Sequence, residues 1–299
     1  MRIMFDEVRS NKIRSVILIS FFIIIIGFLG AVFGLYVGNL TFGVFIAVSI
    51  SIFYSLIGFF SGDRMILGMS GAREVTKKEY PYLFHTIEGL SIAAGIPKPK
   101  AYVIEDSAIN AFATGRDPKH ASITVTTGLL KVMNRQELEG VVAHEMSHIK
   151  NYDIRFMMLT AVLVGIVTLL SDFLLRMFLW GGKGGKKGSK GNVTILLIAL
   201  GLLLAILSPI IGELIKLAIS RKREFLADAN GAVFTRYPPG LASALKKIAK
   251  DPDPLVDQAN KATAHLFIST PFRKKPSVVA HLFSTHPPIE ERIKRLESM

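Results

Sequence analysis

The sequence predicts an α+β, mainly helical, multi-pass membrane protein with a small β-sheet. Three observations carry that expectation. Half of the 299 residues are hydrophobic and the mean hydropathy is +0.42, too apolar for an ordinary soluble chain. The apolar residues gather into four long runs. Between and after those runs lie polar stretches with helix-like and strand-like patterning.

Composition narrows the options further. The formal charge is +13, from 36 Lys and Arg against 23 Asp and Glu. A nucleic-acid surface would need such an excess, but basic surfaces flanking membrane spans account for it better in so apolar a chain. There is no cysteine, which excludes disulfides and thiolate metal ligands.

The elements follow in order. A polar start carrying Arg2, Arg9, Lys12 and Arg14 leads into the uncharged run Val16 to Val37, longer than the core of a signal peptide. Leu40 to Phe60 is a second uncharged run, and only Gly38-Asn39 separates the two, so they predict a hairpin. The basic N-terminus and the later Arg64, Arg73, Lys77 and Lys78 place both ends of that hairpin in the cytoplasm. From Ser61 to Asp153 the chain reads as part of an α+β domain. It has a helix over Glu79–Ala94, short strands over Lys100–Glu105 and Ser122–Thr126, and a third strand at Asn110–Gly115. At a sheet edge, Asn110, Ala111 and Phe112 would pair with an extended substrate.

The stretch His144-Glu145-Met146-Ser147-His148 has the spacing of a metal site. On a helix, positions i and i+4 lie one above the other, so two imidazoles can face one ion while Glu145 stands about 100° round the axis. Asn134 with Glu137 makes a capping box, and Leu138, Val141, Val142 and Ile149 an apolar stripe, which predicts a helix from Arg135 to Tyr152. Two further apolar runs, Phe156 to Leu170 and Val193 to Ile211, flank a lysine-rich glycine loop. Four lysines outside the membrane would break the positive-inside rule, so a re-entrant hairpin stands as the alternative to four spans. The polar remainder folds back on the first polar part. The expected organisation is a transmembrane hairpin over 1-61, catalytic domain over 62-155 and 220-299, and a second transmembrane hairpin over 156-219.

A third metal ligand is not a nearby histidine, since Asn151 and Ile154 stand where a longer histidine motif would need glycine and histidine. Glu213 and Glu224 are the candidates. Glu224 shares a helix face with Asp228, which could orient a ligand imidazole. The spacing to the neighbouring apolar runs puts the ion roughly 12–14 Å from the membrane boundary.

These residues resemble the HtpX family of membrane zinc endopeptidases, relatives of the prenyl-protein (CAAX) endopeptidase. The resemblance covers nearly the whole chain. It rests on the N-terminal hairpin, Asn110 to Gly115, His144-Glu145-x-x-His148-x-x-Asn151-x-Asp153, Arg223-Glu224-Phe225-x-Ala227-Asp228, and His286-Pro287-Pro288 with Arg292. It implies a gluzincin-type metalloprotease domain holding one Zn2+ per chain on His144, His148 and Glu224. Glu145 would be the general base, and Asp228 and Asn151 would orient the ligands. It further implies that His286 or Arg292 faces the reacting carbonyl, and that polypeptides, membrane proteins among them, are cleaved in quality control and stress response at the bacterial plasma membrane. Nucleic acid has no part in that reading. The competing readings are a catalytically silent membrane scaffold, which would not need Glu145, and a more specific prenyl-protein endopeptidase. An intramembrane protease is disfavoured by the charged residues around the motif.

Overall fold

The computed structural model describes residues 2–181, 221–251, 266–268 and 287–299. Helices α1 (Arg2–Val37) and α2 (Leu40–Met69) pack side by side as the expected hairpin. At the turn, the Asn39 side chain accepts a hydrogen bond from the Phe42 N–H and caps α2. Both helices are long and apolar enough to cross a bilayer, over Asp6–Leu35 and Leu40–Met69. Their outer faces expose Ile24, Phe28, Phe33, Phe45 and Phe53, side chains that water would penalise and hydrocarbon would not. Helix α2 continues past Ser61 to Met69, so the polar part begins later than its charge pattern suggests.

The polar part opens with β1 (Arg73–Glu74) and α3 (Pro81–Ala94), followed by β2 (Lys100–Ile104), β3 (Ala111–Gly115) and β4 (Ala121–Thr126). The strands form one mixed sheet in the order β1-β2-β4-β3. β2 runs parallel to β4, with Tyr102 opposite Thr124, and β3 runs antiparallel to β4, with Phe112 opposite that same residue. β3 is therefore the edge strand the sequence called for. Its side chains alternate as a strand requires: Ala111 and Ala113 face the core beneath α3 and the metal-motif helix, while Phe112 joins the core nearer the membrane helices.

Short α4 (Thr127–Val132) leads to α5 (Arg135–Lys150), which carries the motif. The capping box is formed in full, with Asn134 Oδ1 accepting from the Glu137 N–H and Glu137 accepting from the Asn134 N–H. From Leu138 to Ile149 only Glu139 is not buried, which makes α5 the central strut of the domain. Tyr152, at a left-handed φ of 61°, turns the chain directly into α6 (Asp153–Gly181). The third apolar run, Phe156 to Leu170, lies inside α6, which is not one of the two candidate membrane spans among the described residues; the fourth, Val193 to Ile211, lies outside the described residues.

Three more helices complete the domain: α7 (Arg221–Thr235) and α8 (Pro238–Ala249) pack on α5, and α9 (Ile289–Glu297) packs on α8 and α7. Two glycines set how near they come. A Cβ at Gly140 would stand 2.6 Å from the Leu241 backbone nitrogen, and one at Gly231 would stand 3.2 Å from that of His144. Glycine at both places lets α8 and α7 lie backbone to backbone on α5.

Candidate active site

Helix α5 presents His144 and His148 on one face, with their Nε2 atoms 3.2 Å apart. Helix α7 brings Glu224 to the same point, 3.8 Å from His144 Nε2 and 3.5 Å from His148 Nε2. These three buried side chains can hold a metal ion, their ligand atoms lying within 4.8 Å of one another. The donor set suits zinc. Each imidazole is bound through Nδ1 to a carboxylate, Asp228 at 2.9 Å for His144 and Asp153 at 3.0 Å for His148. That fixes the tautomer in which the Nε2 lone pair faces the common point.

The charges are arranged to match. Burial pushes Asp228 upward, but the Arg292 guanidinium outweighs it and brings the carboxyl down to about 2. Arg292 donates from Nε and Nη2 to the two Asp228 oxygens, at 2.8 and 2.7 Å. Burial holds the His144 imidazolium below its usual range, with Arg292 adding to the effect. His148 goes the other way. Burial would depress it too, yet Asp153, Glu224 and Glu145 together carry it up to about 9.

Glu145 is buried, and desolvation pushes its carboxyl up to about 7, against the pull of His148. The Ala113 N–H, on the edge strand β3, hydrogen-bonds to that carboxylate. The putting together of these elements brings an edge strand, a titratable carboxylate and a three-ligand cluster into contact.

The profile of peptidase family M48 matches residues 77–299, three quarters of the chain and every residue of this cluster. The chain belongs to peptidase family M48. It is a metalloendopeptidase, and its two apolar helices make it a membrane metalloprotease. Relatives named as Protease HtpX homologs are similar over the full length. That of Caldanaerobacter subterraneus subsp. tengcongensis is 46% identical, covering all of this chain and 98% of its own, and that of Dictyoglomus turgidum is 45% identical, covering 99% and 94%. The crystal structure of S. mikatae Ste24p shares the fold, with a TM-score of 0.54 at 19% identity, covering 98% of this chain and 67% of that one.

The remaining expected residues fall as follows in this M48 chain. Arg292 reaches the site: it donates to Asp228 and, from Nη1 at 3.2 Å, to the Ile268 carbonyl, and the same Nη1 lies 3.6 Å from Glu224. Asn151 caps α5, and its side chain donates to Ser147 Oγ at 3.3 Å; the carboxylate on His148 comes from Asp153, two residues on. Ala111 and Phe112 lie buried on the edge strand and Asn110 buried just before it; the Ile268 N–H donates to the Ala111 carbonyl at 2.9 Å and Phe267 packs edge-on against Phe112. His286 and Glu213 lie outside the described residues. Sequence reasoning missed the parts played by Asp153 and Arg223. Both stand in the motifs that carry the resemblance, and the five-residue step from His148 to Asp153 was the available signal.

Proposed function

We propose that this protein is a membrane-anchored, zinc-dependent endopeptidase that hydrolyses peptide bonds of misfolded or membrane proteins at the cytoplasmic face, as a quality-control activity of the bacterial plasma membrane. The observation that carries the reading is the convergence of His144, His148 and Glu224 beside Glu145 and the β3 edge. His144, His148 and Glu224 hold the ion, and Asp228 and Asp153 keep the imidazoles aimed. When bound, zinc supplies Lewis acidity and lowers the pKa of water towards neutrality. Glu145 accepts the proton of the attacking water at its carboxylate and passes it to the leaving amine; a carboxyl near 7 is suited to both transfers. The polypeptide lies extended beside β3, along the part of the edge beyond Ala111, whose carbonyl already accepts from the Ile268 N–H. Arg292 acts as a clamp on Asp228, which it holds through Nε and Nη2, while its Nη1 stands 3.6 Å from Glu224. Two features support the cytoplasmic placement. The basic end of α1 lies level with the site, where Lys12 covers the Tyr152 ring at 4.5 Å. Positive charge also follows α2, as the positive-inside rule asks.

The test is cleavage of an unfolded model protein by detergent-purified enzyme, wild type beside Glu145→Gln, with and without zinc. Zinc-dependent cleavage by wild type alone is expected, with the variant still binding metal. Cleavage by Glu145→Gln at the wild-type rate would rule out the role given to that residue.

A further inference from the structure

Asn11 stands on α1, just ahead of the uncharged run, and no step of the hydrolysis uses it. It is nevertheless 0% exposed. Its amide donates to Asp153 Oδ1 at 2.6 Å and to the Asn151 carbonyl at 3.0 Å, and its oxygen accepts from Arg223 Nη1 at 3.3 Å. The other Asp153 oxygen lies 3.0 Å from His148 Nδ1. One side chain from the first membrane helix thus touches the end of α5, the start of α6 and the residue next to Glu224.

We propose that Asn11 is a positioning residue of the hydrolytic centre. By fixing Asp153 it sets the orientation of the His148 ring, which makes the first membrane helix a working part of the site. The inference rests on the reading of His148 as a metal ligand. A carboxylate held only by an imidazole can swing about its Cβ–Cγ bond. One whose two oxygens are held by different partners cannot; Asn11 supplies the hydrogen bond on the second oxygen, with Arg223 Nη1 farther off at 3.9 Å. The chemistry of the amide matters as well. It donates to Asp153 without adding a cation that would compete with His148 for the carboxylate. Its own oxygen is satisfied by Arg223, so it is buried at little cost. Outer partners of this kind tune metal affinity because they restrict the ligand before the metal arrives.

The experiment uses the full-length protein in detergent, with Asn11→Ala, Asp153→Asn and Ser15→Ala. Ser15 is the control, being buried on the same helix with its hydroxyl donated to the Asn11 carbonyl one turn back. Three quantities are read: zinc affinity by chelator competition, kcat and KM on an unfolded model protein at saturating zinc, and the melting temperature of the chelator-stripped protein. Asp153→Asn is expected to weaken zinc about 10–100-fold and Asn11→Ala about 5–10-fold, with kcat lowered and KM nearly unchanged. Ser15→Ala should stay within about two-fold of wild type in zinc affinity. A purely structural Asn11 would lower the melting temperature and leave zinc affinity and kcat alone, and that result overturns the proposal. If Asp153→Asn also leaves zinc affinity intact, Asp153 does not set the His148 ring and the inference falls; only His148→Ala retaining wild-type zinc affinity would remove His148 as a ligand. If Asp153→Asn weakens zinc and Asn11→Ala does not, only the inference fails. Should Asn11→Ala not accumulate, Asn11→Ser, which keeps a donor on a shorter arm, is read by the same criteria.

Discussion

Two carboxylates reach the imidazoles of α5 from opposite sides, and the protein secures them differently. Asp228, behind His144, is met by the full charge of Arg292 in a two-pronged pair that is buried on both sides. Asp153, behind His148, is met by the neutral amide of Asn11, with the Arg223 guanidinium farther off at 3.9 Å. The outcome is opposite at the two rings, one imidazolium held below its usual range and the other raised to about 9. Two histidines of one motif can therefore be prepared for the same ion by different electrostatics. One arm is a closed ion pair within the polar domain; the other is an open relay that ends on a membrane helix.

The sharpest way to break the comparison is to open the closed arm. Arg292→Met leaves Asp228 charged, buried and without its counter-ion, and should cost about 3–5 kcal/mol in denaturant unfolding as well as weakening zinc. Removing both partners, as Arg292→Met with Asp228→Leu, should recover most of the stability but not the affinity, because His144 then lacks its orienting carboxylate.

The open arm is tested by pH. His148 must lose its proton to bind metal, and its pKa lies above the ordinary 6.5. Zinc affinity should therefore tighten as pH rises and level off near 9, whereas in Asp153→Asn the break should move to lower pH. In chelator-stripped protein the sign reverses. The stability contributed by a raised histidine is complete below about 6.5 and lost as pH rises through about 9, so the wild-type melting temperature should fall across that window.

The smallest effect is a control on both arms. Glu137 anchors the start of α5, where Lys247, Ser243 and the Asn134 N–H outweigh burial and hold its carboxyl below the usual range. Glu137→Ala should cost about 1 kcal/mol and leave zinc affinity unchanged. A loss of affinity there would mean that helix position, not the carboxylate arms, governs the site.

Much of this was legible in the chain because it is periodic or local. Helix periodicity placed His144 with His148, and Glu224 with Asp228, on common faces, and alternation with turn residues placed β3. The capping box announced where α5 begins. What could not be read depends on partners far apart in sequence. Asn11 meets Asp153 across 142 positions, and Ile268, far along the chain, meets Ala111 on the edge strand. In the sequence Glu224 is preferred to Glu213 because it shares a helix face with Asp228, and the packing of α7 on α5 brings Glu224 to the two histidines; Glu213 lies outside the described residues.

The glycine at 231 bears on attempts to make this protein more heat-resistant. Replacing a helical glycine with alanine is a standard route to thermostability, with a gain of up to about 1 kcal/mol in helix propensity. Here the added methyl would meet the His144 backbone and lever α7 outward by a few tenths of an ångström. Glu224 rides on that helix, and zinc coordination tolerates distance errors of only about 0.2 Å. A sturdier helix would come at the expense of the metal it was built to hold.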